Sequence, residues 1–205
     1  MAFVIIFVFS MDWGTVKSEI KKTDYVFKEN IVYDLNLFDV GKYKASTKQK
    51  DNLELLFNIE GLKKTTGRFN DVNVSLEVKP NRKKSILNVE IDVNSVFTNN
   101  KIRDESLVSD EFFNVAKYPT ITYVSDSLIF KNNLMNVYGQ LTFMGNTYPL
   151  EFPFTILGLA EKNNQTLIGI EGQFEFDRTK FGMPHETGVG DIVSISFYVD
   201  LKPSN

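Results

Sequence analysis

The sequence predicts an all-β fold with one short helical interruption, either an up-and-down barrel or a sandwich. From residue 53 onward, apolar and polar residues alternate in segment after segment, as in an antiparallel sheet with one face in water. Turn-forming runs such as KPNRKK, FKNN, MGNT and EKNNQ separate these segments. About eight strands joined by short turns suit a barrel or a sandwich, and alternation does not distinguish the two.

The alternating segments each place their large apolar side chains on one face. In chain order they are LELLFNI, VNVSLEV, LNVEIDV, MNVYGQLTF, LEFPFTI, GQFEFDR and VSISFYVDL. Within LEFPFTI, Pro153 has no N–H to donate to a neighbouring strand, so we expect an edge or a bulge there. A barrel of about eight strands is wide enough to hold one small ligand.

A dense segment, RDESLVSDEFFNVAKYPTITYVS, interrupts the strands at residues 103–125. Between residues 104 and 117 we expect one or two short helices. Ser109 or Asp110 would cap EFFNVAKY at its N-terminus, and Pro119 would end it.

Composition excludes several classes of function. The 205-residue chain has a net charge of -3, which offers no electrostatic reason to bind nucleic acid. It has no cysteine and one histidine, so disulfides, thiolate nucleophiles and zinc-cysteine sites are excluded, and no cofactor or metal is expected. His185 lies in a glycine-rich loop and is expected to be exposed. Because no serine sits in a Gly-x-Ser-x-Gly motif, we predict no catalytic residues and no enzyme activity.

The N-terminus is predicted to be an extension, residues 1–30, ahead of a single barrel domain at residues 31–205. The apolar run at residues 2–9 is too short for the roughly 20 residues of a membrane-spanning helix, so no transmembrane span is expected. It is similar to the core of a secretory signal but lacks the basic start and the small-residue cleavage site. A buried strand or a trimmed upstream start are the other interpretations.

The dense segment resembles the signature of the YceI family, lipocalin-like proteins often called polyisoprenoid-binding proteins. The matching positions are Arg103, Asp104, Ser106, Leu107, Ser109, Asp110, Phe112, Phe113, Tyr118, Pro119, Ile121 and Tyr123. The segments NSVFTNNKIRD, VYGQLTFMGNTYPLEF and FDRTKFGMPHETGVGDIVSISFYVDL resemble further parts of the family pattern, in the same order. Two positions depart from it: Ser106 stands where the family has His, and Tyr123 where it has Phe. A serine there offers only a short, uncharged hydroxyl.

The resemblance implies an antiparallel, eight-stranded, lipocalin-like barrel with a short helical insertion near residues 104–117. It further implies a non-catalytic protein that binds, transports or stores a long-chain isoprenoid, such as a quinone or polyprenyl phosphate, or a fatty-acid-like amphiphile. Family members are often periplasmic, so we expect a periplasmic or secreted protein. A filled-core structural or stress-response interaction module, without lipid, is the alternative. The sequence allows a homodimer and does not settle the oligomeric state.

The predicted site has an apolar lining and a polar head-group region. The lining candidates are Phe57, Phe112, Phe113, Ile121, Tyr123, Leu141, Phe143, Phe152, Phe154, Phe174, Phe176, Ile195 and Phe197. Each of these could equally belong to an ordinary filled core, and Phe112 or Phe113 either closes a mouth of the barrel or packs the helix on the sheet.

The head-group candidates are Arg103, Asp104, Ser106 and Arg178. An arginine suits bidentate contact with a phosphate or similar group. The other interpretations are an Arg103–Asp104 ion pair that fixes the turn, and pairing of Arg178 with a carboxylate such as Asp104 or Asp110.

Overall fold

Strands make up most of the computed structural model, which describes residues 16–19, 21–25, 33–61, 64–162 and 165–204. The predicted apolar segment at residues 2–9 lies outside these residues. The strands are β1 (Gly41–Ser46), β2 (Leu53–Gly61), β3 (Thr65–Phe69), β4 (Val72–Val78), β5 (Ile86–Asp92), β6 (Val96–Phe97), β7 (Thr120–Lys131), β8 (Leu134–Phe143), β9 (Asn146–Lys162), β10 (Gln165–Asp177) and β11 (Val189–Ser204). One α-helix of the described residues, α1 (Lys101–Val108), stands between β6 and β7.

Eight of these strands close into a barrel. They follow the order β1-β4-β5-β7-β8-β9-β10-β11, and β11 pairs back with β1 from Lys42↔Ser204 to Lys44↔Lys202. Every pairing in the ring is antiparallel. The predicted fold class, a closed antiparallel eight-stranded barrel, is therefore confirmed.

The other three strands make one side of the barrel taller. The first part of β11 pairs with β2 from Val193↔Ile59 to Val199↔Leu53, β2 pairs with β3, and β3 pairs with β6. The long strand β11 thus pairs with β2 from Val189 to Val199 and with β1 at residues 202–204. The helical insertion follows β6 on this taller side.

Period-two alternation places the apolar residues inside. In β4, Val72, Val74, Leu76 and Val78 are all buried, whereas Asn73 between them is exposed. Burying a side chain of this size stabilises the fold by about 1.5–3 kcal/mol. The alternation read from the sequence therefore separates the inside of the barrel from its outside.

The helical insertion begins earlier than predicted. The Asn100 side chain accepts a hydrogen bond from the Arg103 N–H at 3.1 Å and caps α1 at its N-terminus. Ser109 lies at the C-terminal end, where its N–H donates to the Ser106 carbonyl. The predicted helix in EFFNVAKY is wrong: this stretch forms turns, and Asn114, with a φ of 49°, has a left-handed backbone that a right-handed helix does not accommodate.

Residues 16–19 and 21–25, which we call the N-terminal strap, lie against the outer face of the barrel. The Glu19 N–H donates to Glu54 Oε1 on β2 at 3.0 Å, and the Thr23 N–H donates to the Tyr198 hydroxyl on β11 at 2.8 Å. The Tyr25 hydroxyl donates to Asp200, also on β11. Part of the predicted extension is thus bound to the barrel wall.

Candidate ligand-binding site

The barrel encloses a cavity of about 160 Å³. Most lining candidates from the sequence contribute to its wall. They are Phe57, Phe113, Ile121, Tyr123, Leu141, Phe143, Phe152, Phe174, Phe176, Ile195 and Phe197. The strands bring these side chains together because each presents its alternate residues to the lumen.

Two candidates lie outside the cavity wall. Phe154 is only 1% exposed and packs in the part of the core next to Met135 and Val137, where the barrel is filled by side chains. Phe112 is half-buried and packs against the core from the helical insertion. The insertion therefore contributes one ring to the wall, Phe113, and one ring outside it.

Several wall residues were absent from the sequence prediction. They include Ile59, Phe69, Val74, Val89, Leu107, Leu150, Met183 and Val193. For Val74, Val89 and Val193 the signal was present, since they alternate like the predicted residues, but the prediction favoured aromatic side chains. Leu107 and Met183 lie in a helix and a loop, where alternation carries no information.

Aromatic rings form two groups of contacting side chains along the wall. The Phe113 ring centroid lies 6.3 Å from that of Phe69 and 5.8 Å from that of Phe143, so the insertion packs against the wall through this ring. Between β9 and β10, Phe152 stacks on Phe174 with 4.6 Å between centroids and an interplanar angle of 19°. Ring pairs of this kind contribute about 0.5–1.5 kcal/mol beyond their buried area.

Tyr123 brings a hydroxyl group into the wall. The residue is 4% exposed, and its hydroxyl donates to the Leu150 carbonyl oxygen at 3.2 Å. Burial, followed by the negative charge of Asp126, raises the pKa of Tyr123. The phenol is therefore neutral at physiological pH and acts as a hydrogen-bond donor to the wall itself.

The guanidinium group of Arg178 forms hydrogen bonds to other groups of the protein. Its side chain is 2% exposed; Nε donates to the Gly190 carbonyl at 2.9 Å, and one terminal nitrogen donates to the Pro184 carbonyl at 2.6 Å. The other terminal nitrogen lies 3.3 Å from Asp191 Oδ1. The carboxylate partner is thus Asp191, where the sequence had suggested Asp104 or Asp110, because the β10–β11 loop folds back over the guanidinium.

Two of the other head-group candidates, Arg103 and Asp104, form hydrogen bonds to Thr98, which precedes α1. Asp104 Oδ1 accepts the Thr98 N–H at 2.9 Å and the Thr98 hydroxyl at 2.5 Å. Arg103 donates to the Thr98 hydroxyl and carbonyl, each at 2.8 Å, while Ser106 lies on the same helix. These three residues do not contribute to the cavity wall, and their role at a head group stays a prediction.

The exposed His185 of the β10–β11 loop contacts a carboxylate. His185 Nδ1 lies 2.9 Å from Asp191 Oδ2, and its side chain is 70% exposed. Among the described residues there is no cluster of three or more histidine, cysteine, aspartate or glutamate side chains suited to a metal ion. In that same part of the chain, no helix has the length and apolar character needed to cross a membrane.

The comparison with family models identifies the chain. The model for the YceI-like domain matches residues 43–201, most of the barrel. The chain belongs to the YceI-like domain family. A curated relative, protein YceI of Salmonella arizonae, is 39% identical over 75 residues, which is 37% of this chain and 39% of that protein. The aligned part thus spans well under half the length of the curated YceI proteins it matches.

Three solved structures have a fold similar to that of this chain. The Campylobacter jejuni YceI protein is 25% identical, with a TM-score of 0.61 over 68% of this chain and 85% of that one. Burkholderia cenocepacia BcnA is 21% identical, with a TM-score of 0.63 over 74% of this chain and 96% of its own. A polyisoprenoid binding domain from Saccharophagus degradans, implicated in plant cell wall breakdown, is 14% identical, with a TM-score of 0.64 over 81% and 100%.

Proposed function

We propose that this YceI-like protein binds a long-chain isoprenoid or a similar lipid-like amphiphile in its lumen, without catalysing a reaction. The observation that carries the proposal is the cavity wall, which is apolar except for Glu54, Tyr123 and Arg178. The Tyr123 and Arg178 polar groups are bonded to the protein, and the Glu54 carboxylate accepts from Ser18 and Glu19 of the strap. Such a wall suits a hydrocarbon chain, at about 0.8 kcal/mol for each methylene group removed from water.

The family supports the same class of ligand. One structural relative is described as a polyisoprenoid binding domain, and it has the fold of this chain. Because a fold hosts different functions, this likeness adds to the argument only together with the apolar wall. The ligand would be a quinone, a polyprenyl phosphate or a fatty-acid-like amphiphile.

The size of the lumen limits how a long ligand is held. A cavity of about 160 Å³ lies below the range of about 300–1,000 Å³ typical of ligand pockets. It is close to a cavity of roughly 150 Å³ known to take up benzene. A long chain therefore requires the wall to move. The same small volume favours the second candidate, a filled-core interaction module that holds no lipid.

The proposal includes export to the periplasm or beyond the cell. Its support is the family resemblance together with the apolar run at residues 2–9. A homodimer stays a prediction.

Native mass spectrometry of the purified protein, followed by organic extraction, tests the proposed function. We expect a long-chain species bound at one molecule per protein chain. Protein without such a species is then incubated with ubiquinone-10, undecaprenyl phosphate or hexadecanamide. Failure to bind any of the three contradicts the lipid proposal and supports the filled-core module.

A further inference from the structure

Strands β9 and β10 are neighbours in the barrel, but they form a hydrogen-bonded ladder over only part of their length. The two strands pair from Gln165↔Lys162 to Glu171↔Thr155. Beyond that point, residues 146–154 of β9 pair with β8, and residues 172–177 of β10 pair with β11. We call these two stretches the β9–β10 seam. Among the described pairings, no backbone ladder joins them.

Two prolines explain why the ladder stops. In an antiparallel strand the N–H and the carbonyl of one residue point to the same edge, and residues an even number apart share that edge. A Cβ built on Gly172 would lie 2.8 Å from the Pro153 carbonyl oxygen, so this edge of Pro153 faces β10. Pro149, four residues earlier, faces the same way. Neither proline has an N–H to offer β10.

A bulge next to the seam turns the strands apart. Gly169 pairs with Gly158, but Ile170 pairs with Ile156, which leaves Leu157 as an extra residue in β9. Bulges of this kind increase the local twist and end regular pairing. The ladder is therefore already irregular where the proline-containing half of β9 begins.

Aromatic side chains bridge the seam where hydrogen bonds are missing. The Phe152 ring of β9 stacks on the Phe174 ring of β10. Phe181, in the turn after β10, lies between Tyr148 of β9, at 4.9 Å, and Phe176 of β10, at 5.3 Å between ring centroids. Ring contacts can separate without leaving unpaired backbone groups, whereas separation of a ladder cannot.

The seam is also part of the cavity wall. Leu150 and Phe152 from β9, and Phe174 and Phe176 from β10, contribute to the lining. Between β4 and β5, β5 and β7, β7 and β8, and β10 and β11, widening the barrel would break ladder hydrogen bonds. At the seam, widening only displaces side chains that a bound hydrocarbon can replace.

We propose that the apolar chain of the ligand enters the lumen sideways through the β9–β10 seam, which widens to hold it. This inference rests on the proposed lipid-binding function. It accounts for the small volume of the cavity, because Phe152 and Phe174 occupy the space that the ligand chain takes when they move aside.

A disulfide across the seam tests the proposal. Continuing the register from Thr155↔Glu171 places Glu151 opposite Glu175 on the outer face, and the chain has no other cysteine. The double variant E151C/E175C is loaded with ubiquinone-10 from detergent micelles, oxidised and reduced, and bound quinone is followed by native mass spectrometry. We expect the oxidised form to load at least tenfold more slowly than the reduced form.

The matched control shares one cysteine. In Y138C/E151C the disulfide joins β9 to β8 at the existing pair Tyr138↔Glu151, and the oxidised control is expected to load at the reduced rate. If the reduced proteins do not load, the proposed function fails, and the seam inference fails with it. If both oxidised proteins load as fast as the reduced ones, the seam inference alone fails.

A second variant tests the same idea without a cross-link. P149T/P153T gives β9 two N–H donors toward β10, and we expect slower quinone loading and slower hydrogen exchange of the two new amides. An unchanged loading rate in this variant and in oxidised E151C/E175C overturns the proposal.

Discussion

Polar side chains predicted to contact a ligand form hydrogen bonds within the protein instead. The buried Arg178 and Tyr123 and the half-buried Asp104 were singled out from the sequence as site residues, and each makes hydrogen bonds to backbone groups in the structure. A buried polar group without a partner costs about 1–3 kcal/mol, so such positions are bonded within the protein. Residue type alone does not reveal which carboxylate pairs with Arg178, because Asp191 and Asp104 are the same residue type.

Arg178→Met removes the buried guanidinium that holds the β10–β11 loop. The carbonyls of Gly190 and Pro184 and the Asp191 carboxylate lose their donors. We expect the free energy of unfolding, measured by urea denaturation, to fall by about 1–3 kcal/mol for each buried carbonyl left without its donor. Lys180→Met, at an exposed neighbour in the same turn, should change it by less than about 0.5 kcal/mol. Similar losses in the two variants would contradict this account of Arg178.

Secondary-structure elements were predicted most reliably where alternation is long. β2, β4, β5 and β8 coincide closely with segments chosen from the sequence. β1 and β3 are shorter and were missed, although Tyr43 and Ala45 of β1 do point inward between exposed lysines. The helix was displaced because the Asn100 cap, and not Ser109, begins it.

The N-terminal strap is an element that burial and hydrogen bonds attach to the barrel. Asp200 is 3% exposed and accepts hydrogen bonds from Tyr25, Thr23 and Asn52. Burial, and then the hydrogen bond to Asp200, raises the pKa of Tyr25 above the usual value for tyrosine. The neutral phenol is therefore the form that holds the strap.

Tyr25→Phe tests this contact through its pH dependence. Below about pH 10, the usual tyrosine pKa, Tyr25 keeps its proton in both the folded and the unfolded state, and its contribution to stability is complete. Above about pH 10 the unfolded state loses the proton first, so this contribution declines as the pH rises. We expect the stability difference between wild type and Tyr25→Phe, from urea denaturation, to shrink between about pH 8 and about pH 11.

Tyr138→Phe, at an exposed tyrosine of β8, is the matched control for loss of a phenolic hydroxyl. A difference between wild type and Tyr25→Phe that stays constant over this pH range would contradict the assigned role of Tyr25.

The barrel as a unit combines a filled end with a small cavity. Phe154, Val137 and Leu128 pack the filled part, and the cavity lies among the aromatic rings beside the seam and the helical insertion. Proteins pack their interiors densely, so space for a ligand has to be kept open or be made by movement. The volume of the lumen depends on side chains from many strands of the barrel, so no single strand determines it.

Val89→Phe fills the cavity from β5. Val89 contributes to the cavity wall, and a larger ring there takes up space that the ligand chain needs. We expect at least a tenfold loss of ubiquinone-10 binding, measured by native mass spectrometry, with the folded barrel retained by circular dichroism. Val124→Phe makes the same substitution at a position 47% exposed on the outside of β7 and should bind like wild type. Equal binding by the two variants would place the ligand outside the lumen.

Local chemistry in the sequence was sufficient to predict antiparallel strands with an apolar inner face, and the resemblance to the YceI family predicted that these strands form a barrel. Strand alternation depends on neighbouring residues, and the family signature is a contiguous stretch. Pro153 was expected at an edge or a bulge, and it lies in β9 beyond the last residue that pairs with β10. The structure was needed for contacts between distant residues: the closure of β11 on β1, the pairing of Arg178 with Asp191, the seam and the cavity volume. These depend on which strands meet in space, because each results from packing side chains and backbone edges that are far apart in the chain.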